Sequence, residues 1–204
     1  MTLIAVLDYG IGNLRSAQKA LERVGADARL TADPEIIASA RGVVLPGVGA
    51  FGRCMSALQR TGLDGVARDA ASSDRPFLGI CIGLQLLFDG SDEDPDVAGL
   101  GVLRGRVRLL PEGVKRPQMQ WNVIERRTES AMLAGLGDPA WVYFVHSYAP
   151  VPVDDTVVAA TTDYGGDVVA AVDAGSIWAT QFHPEKSGAA GLRLLRNFVD
   201  RCGA

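Results

Sequence analysis

Histidine and cysteine are scarce in this 204-residue sequence: two histidines, His146 and His183, and three widely spaced cysteines, Cys54, Cys81 and Cys202. So few and so scattered, they make neither a disulfide framework nor a zinc site, and the expectation is a reduced chain with no metal and no cofactor. Basic charge is not in excess. At a net charge of −4 nothing argues for nucleic acid or an anionic membrane as partner. No apolar run is long enough to span a bilayer. The start, Met1 to Asp8, lacks a basic region, and Asp8 cuts its apolar stretch short. The chain therefore reads as cytoplasmic. Repeats, linkers and low-complexity segments are missing too, and 48% hydrophobic with 22% charged residues fits one globular domain, 1–204.

What is present is an alternation of short apolar runs and helical periodicity. Leu3 to Leu7 reads as a buried strand, and Leu14, Ala17, Leu21 and Val24 recur at helical spacing with Gly25 as the stop. The loop between them has Gly10 and Gly12, but Arg15 stands where a dinucleotide fingerprint needs its third glycine. Asp33-Pro34 opens a short helix as cap and first residue. Val43 to Leu45 predicts a central strand running into the glycine-rich loop Pro46-Gly47-Val48-Gly49, and helical segments are expected from Phe51 to Ser72. Ser91 to Asp96 is an acidic loop. Val97 occupies the glycine position of a calcium loop, so a solvated loop is expected there, with one carboxylate pointing into a nearby cleft as the alternative. Arginines alternate on one face of Val102 to Leu109, and Gly165-Gly166 and Ala174-Gly175 mark antiparallel hairpins. The fold class predicted is α/β: an open twisted, largely parallel sheet with helices on both faces and additional antiparallel strands.

The stretch Phe77 to Phe88 carries the chemistry. An apolar strand meets Gly79-Ile80-Cys81-Ile82-Gly83, and a second apolar run of helical character follows: a nucleophile-elbow pattern with cysteine in place of serine. A cysteine there would sit at the positive end of the following helix, which favours thiolate. Buried free cysteines are also commonly inert, so a base is needed. His183 stands in Gln181-Phe182-His183-Pro184-Glu185. Its spacing of two from Glu185 puts both side chains on one side of an extended segment, with Pro184 keeping it extended. Alone, the segment equally fits a surface His-Pro turn. Together, Cys81, His183 and Glu185 supply nucleophile, base and orienting acid for acyl transfer through a thioester.

These motifs resemble the class I (triad) glutamine amidotransferases. Asp8 to Leu14, Leu45 to Phe51, Tyr143 to Tyr148 and Phe182 to Ser187 are similar, more narrowly, to the glutaminase subunits of imidazole glycerol phosphate synthase. The resemblance implies that Cys81 attacks the carboxamide of L-glutamine, that His183 transfers protons and that Glu185 orients His183. It also implies an oxyanion hole from the Ile82 N–H and one N–H of the Gly47-Val48-Gly49 loop. Gln85 and Glu93 would hold the amino-acid end of glutamine, and the backbone at His146, Ser147 and Tyr148 its α-carboxylate. The implied partner is a separate cyclase subunit, a (β/α)₈ barrel, docked at Asn13, Trp121, Asn122 and Lys186. Pro117-Gln118-Met119-Gln120-Trp121-Asn122 departs from the family's pattern at Gln118 and Gln120. Activity kept low without the partner is implied as well, with the Val48 loop as the expected switch and a carbonyl aimed at the Cys81 pocket in the free chain as its mark. A sister glutaminase serving another pathway, or a non-catalytic thiol-sensing domain, are the rival readings. The loop sequence and the intact triad argue against them.

Overall fold

The computed structural model describes residues 1–204. The first half runs β1 (Leu3–Leu7), α1 (Leu14–Arg23), β2 (Asp27–Thr31), α2 (Pro34–Ser39), β3 (Gly42–Gly47), α3 (Phe51–Thr61), α4 (Leu63–Ala71) and β4 (Phe77–Cys81). Local chemistry sets these boundaries. Leu14, Ala17, Ala20 and Leu21 form the buried face of α1. The Asp33 carboxylate accepts from the Glu35 N–H at 2.9 Å and caps α2, with Pro34 at its first position. Gly62, at φ 71°, takes a left-handed turn that divides α3 from α4.

The second half runs α5 (Ile82–Gln85), β5 (Gly90–Ser91), β6 (Gly105–Leu109), β7 (Gln118–Arg126), β8 (Ala140–His146), β9 (Tyr148–Pro152), β10 (Val158–Asp163), β11 (Asp167–Ala174), β12 (Ile177–Thr180) and α6 (Gly188–Gly203). Nine strands form one sheet in the order β2-β1-β3-β4-β12-β11-β10-β7-β8. From β2 to β12 neighbours are parallel; from β12 to β8 they are antiparallel. A small second sheet is β5-β6-β9. Strands β3 and β4 are buried throughout, as parallel strands covered on both faces must be. Right-handed crossovers put α1 on one face and α2 to α4 on the other. α6 returns to pack beside α1.

This topology brings the carboxyl ends of β1, β3, β4 and β12 to one edge, the usual place for chemistry in such sheets. Gly47 and Cys81 are register partners there, and β12 leads directly into His183. Three local expectations change. The run after Cys81 is helical only for Ile82–Gln85, so it contributes one turn of dipole rather than that of a full helix. Residues Pro184–Lys186 form a 3₁₀ turn instead of an extended segment, because the φ fixed by proline suits a first helical position equally well. The acidic loop is also not simply solvated. Glu93 accepts from the Phe51 N–H and Asp94 from the Gly52 N–H, each at 2.8 Å, so it caps α3.

Candidate active site

Cys81 is the one non-glycine residue with a positive φ, 55°, and its ψ of −108° lies outside every common basin. The elbow imposes this strain, and its glycines show why. A Cβ on Gly83 would lie 1.7 Å from the Leu45 carbonyl oxygen, and one on Gly79 would lie 2.9 Å from the Gly83 oxygen. Only with hydrogen at both places can the turn nest between β3 and β4 and aim the thiol out of the strand end.

Opposite stands His183, 1% exposed. Its Nδ1 lies 2.8 Å from Glu185 Oε1, and since a carboxylate accepts, Nδ1 carries the hydrogen. The 3₁₀ turn achieves what the extended segment was expected to do. Nε2 has no hydrogen-bond partner within the protein, and the ring lines the same cleft as Cys81. Burial pushes the His183 pKa down, but the neighbouring Cys81 and the hydrogen bond to Glu185 outweigh it and raise it to about 9. A protonated His183 imidazole facing Cys81 is the state this favours.

Gln181, fully buried, was not singled out from the sequence. Its Nε2 donates towards Cys81 Sγ at 3.7 Å and its Oε1 accepts from Gln85 Nε2 at 3.0 Å. Gln85 also donates to the Tyr148 carbonyl at 2.8 Å. The available signal was position, two residues before His183 at the end of a strand.

Cys81, Ile82, Gln85, Glu93, Val48 and Gly49 line one cleft of ≈ 440 Å³ with His146, Ser147, Tyr148 and His183. Val145 and Pro117 join them, also unforeseen. Gly47 lies behind this wall: a Cβ there would meet the Tyr9 hydroxyl at 2.7 Å and Ile82 Cβ at 2.9 Å. The N–H groups of Val48 and Gly49 find no acceptor within the protein. The Val48 carbonyl does not turn into the cleft as expected for a free chain; it accepts from Cys54 Sγ at 3.5 Å. His146 is a neutral wall. Burial pushes its pKa down to about 4, the nearby His183 adding to this and the bond to Tyr148 opposing it. Because Nδ1 faces the Tyr148 carbonyl at 2.9 Å, the bare nitrogen is Nε2.

A larger cavity, ≈ 580 Å³, is lined by residues of β6, β9, β10 and β11. It holds no cysteine or histidine, so size does not locate the chemistry. No group of three or more His, Cys, Asp or Glu side chains is arranged to hold a metal ion.

Asn13 and Lys186 are exposed at the cleft. Trp121, 48% exposed, packs edge-on to Tyr143, and strand alternation puts Met119 on its side, with Trp141 and Val145 opposite on β8. Asn122 points to the other face, where its amide donates to the Asp163 carbonyl at 3.0 Å. Gln118 is fully buried opposite His146, and neither amide atom has a partner.

The profile of glutamine amidotransferase class-I matches residues 5–202. Among curated relatives, imidazole glycerol phosphate synthase subunit HisH of Symbiobacterium thermophilum is 48% identical over 198 residues, 97% of this chain and 93% of that protein. The same subunit of Methanothermobacter thermautotrophicus is 50% identical over 198 residues, covering 97% and 98%. Of solved structures, a glutamine amidotransferase superposes at TM-score 0.74 with 24% identity, covering 98% of this chain and 99% of that one. PurLQS from Thermotoga maritima does so at 0.73 with 18% identity, covering 98% of each. At such low identity these two speak for the fold alone. The chain belongs to the class-I glutamine amidotransferase family and, within it, to the HisH subunits of imidazole glycerol phosphate synthase.

Proposed function

We propose that this chain hydrolyses L-glutamine to glutamate and ammonia through a thioester on Cys81, as the glutaminase half of imidazole glycerol phosphate synthase in histidine biosynthesis. The observation that carries the mechanism is the strained elbow thiol facing a buried histidine that Glu185 orients. The Cys81 thiolate attacks the carboxamide carbon, and the carbonyl oxygen becomes an oxyanion. The Ile82 N–H and an unpaired N–H of Val48 or Gly49 receive it, where losing one donor typically costs about 10²–10³ in rate. Protonated His183 gives its proton to the departing nitrogen, and the C–N bond breaks to leave ammonia and the thioester. His183, now neutral, takes a proton from water as that water attacks. The C–S bond breaks, glutamate leaves, and the thiolate–imidazolium pair is restored. Glu185 keeps Nδ1 protonated throughout. Gln181 steadies the sulfur, Gln85 and Glu93 face the amino-acid end of the substrate, and the backbone at His146 to Tyr148 holds its α-carboxylate.

Ammonia in neutral water is mostly ammonium, which is no nucleophile, so the product must pass on without meeting bulk solvent. The apolar strip of Met119, Trp121, Trp141 and Val145 reaches the cleft wall, with Asn13 and Lys186 beside it. This is the surface for the cyclase subunit, a (β/α)₈ barrel in the same cytoplasmic compartment. There the ammonia completes imidazole glycerol phosphate and an aminoimidazole carboxamide ribotide. No helix of the chain is long and apolar enough to cross a membrane.

An electrophilic glutamine analogue maps the nucleophile directly. Peptide mass spectrometry is expected to find the adduct on Cys81; first labelling at Cys54 or Cys202 contradicts the mechanism.

A further inference from the structure

Cys54 takes no part in the acyl transfer above, yet it touches the loop that the reaction needs. It is fully buried on α3 and donates its S–H to the Val48 carbonyl at 3.5 Å. Beside it, the Tyr9 hydroxyl donates to the Pro46 carbonyl at 2.7 Å. Two carbonyls of the Pro46-Gly47-Val48-Gly49 segment are thus held by side chains, one from the loop after β1 and one from α3. A trans peptide is planar, so its C=O and the next N–H point to opposite sides. With the Val48 oxygen turned down onto Cys54, the Gly49 N–H points the opposite way within the peptide plane, and Val48 and Gly49 both line the cleft. That N–H has no acceptor in the protein. Gly49, at φ 101°, is the residue that lets this peptide rotate at little steric cost. Burial pushes the Cys54 pKa up to about 11, so the thiol keeps the hydrogen it donates.

We propose that Cys54 is a positioning residue for the oxyanion hole: its thiol latches the Val48 carbonyl to α3 and so keeps the Gly49 N–H facing the Cys81 cleft. Without the latch, the peptide can turn its oxygen towards the place where the substrate oxyanion develops. This lowers kcat and leaves ground-state binding of glutamine nearly untouched.

The test compares steady-state glutamine hydrolysis by wild type, Cys54→Ala and Cys54→Ser, each assembled with the cyclase subunit and its ribotide substrate. Cys54→Ala is expected to lose about five- to tenfold in kcat, the net size of one hydrogen bond, with KM within about twofold. Cys54→Ser, which can donate to the same carbonyl, is expected to recover kcat to within about twofold of wild type. The latch is overturned if Cys54→Ala matches wild type, or if Cys54→Ser loses as much as Cys54→Ala. Should the alanine variant not fold, Cys54→Thr and Cys54→Val repeat the comparison at matched volume, and equal kcat in that pair overturns it too. The inference rests on the Cys81 mechanism, and the two fail differently. Activity surviving Cys81→Ala removes the mechanism, whereas a silent Cys81→Ala with equal kcat across the Cys54 variants removes the latch alone.

Discussion

At the scale of single residues, the site is a problem of keeping one proton on one nitrogen. His183 is buried, which alone would strip its charge, and only Cys81 and Glu185 on either side hold its pKa up at about 9. The folded value lies above the unfolded one. Its contribution to stability is therefore complete below pH of about 6.5 and disappears as pH rises through about 9. With two histidines in the chain, proton NMR can follow this directly: His183 is expected to titrate far above His146, whose pKa is pushed down to about 4 by burial. In Cys81→Ala the side chain that raises the His183 pKa is gone, so the His183 midpoint is expected to fall; an unchanged midpoint would show that Cys81 does not pair with it. Glu185→Gln leaves a hydrogen-bonding side chain but no charge, and permits the wrong tautomer. A loss in kcat of about 10²–10⁴ is expected, by analogy with the orienting acid of serine triads; steady-state hydrolysis with KM nearly constant is the check.

At the scale of elements, the elbow is the most constrained feature. Gly83→Ala places a methyl on the Leu45 carbonyl, which strand β3 cannot yield without breaking its pairing with β4. A destabilisation of about 3 kcal/mol or more is expected, read as a lowered denaturation midpoint, whereas Gly65→Ala, which meets nothing within 4 Å, should not lower it. Gly83 also shows what a sequence makes visible. Strand β1, the Asp33 cap, the Gly165-Gly166 hairpin and the elbow glycines were legible because their causes lie within a few residues. The shortness of α5 and the 3₁₀ turn at Pro184 were not: proline permits both conformations, and packing against distant strands chooses. Likewise, Gln181 reaches Cys81 across 100 positions, and Glu93 reaches Phe51 across 42. No local pattern encodes such meetings. The triad was readable only because elbow, His-Pro-Glu and family motifs occur in one chain.

At the scale of the whole molecule, a chain whose product is useless once protonated needs a partner over its cleft. The apolar strip on β7 and β8 is the surface proposed for it, and Trp121 is its central aromatic. Trp121→Ala is expected to weaken binding of the cyclase subunit by about 30-fold or more, the behaviour of a buried aromatic anchor, without changing the denaturation midpoint. Titration calorimetry decides between this and a peripheral role. The Val48 carbonyl already turned onto Cys54 bears on activation too. If partner binding acts on the oxyanion loop, it does so by steadying this arrangement, and hydrolysis by the free chain should be slower than by the ligand-loaded complex; equal turnover would remove the loop as a switch.

Everything above depends on Cys81 being the acyl-forming nucleophile. The most direct measurement is glutamate release by the purified chain assembled with its cyclase subunit and the ribotide substrate, for wild type and for Cys81→Ala. Strong release by wild type and none by Cys81→Ala is the predicted result; continued glutamine hydrolysis by Cys81→Ala would contradict it.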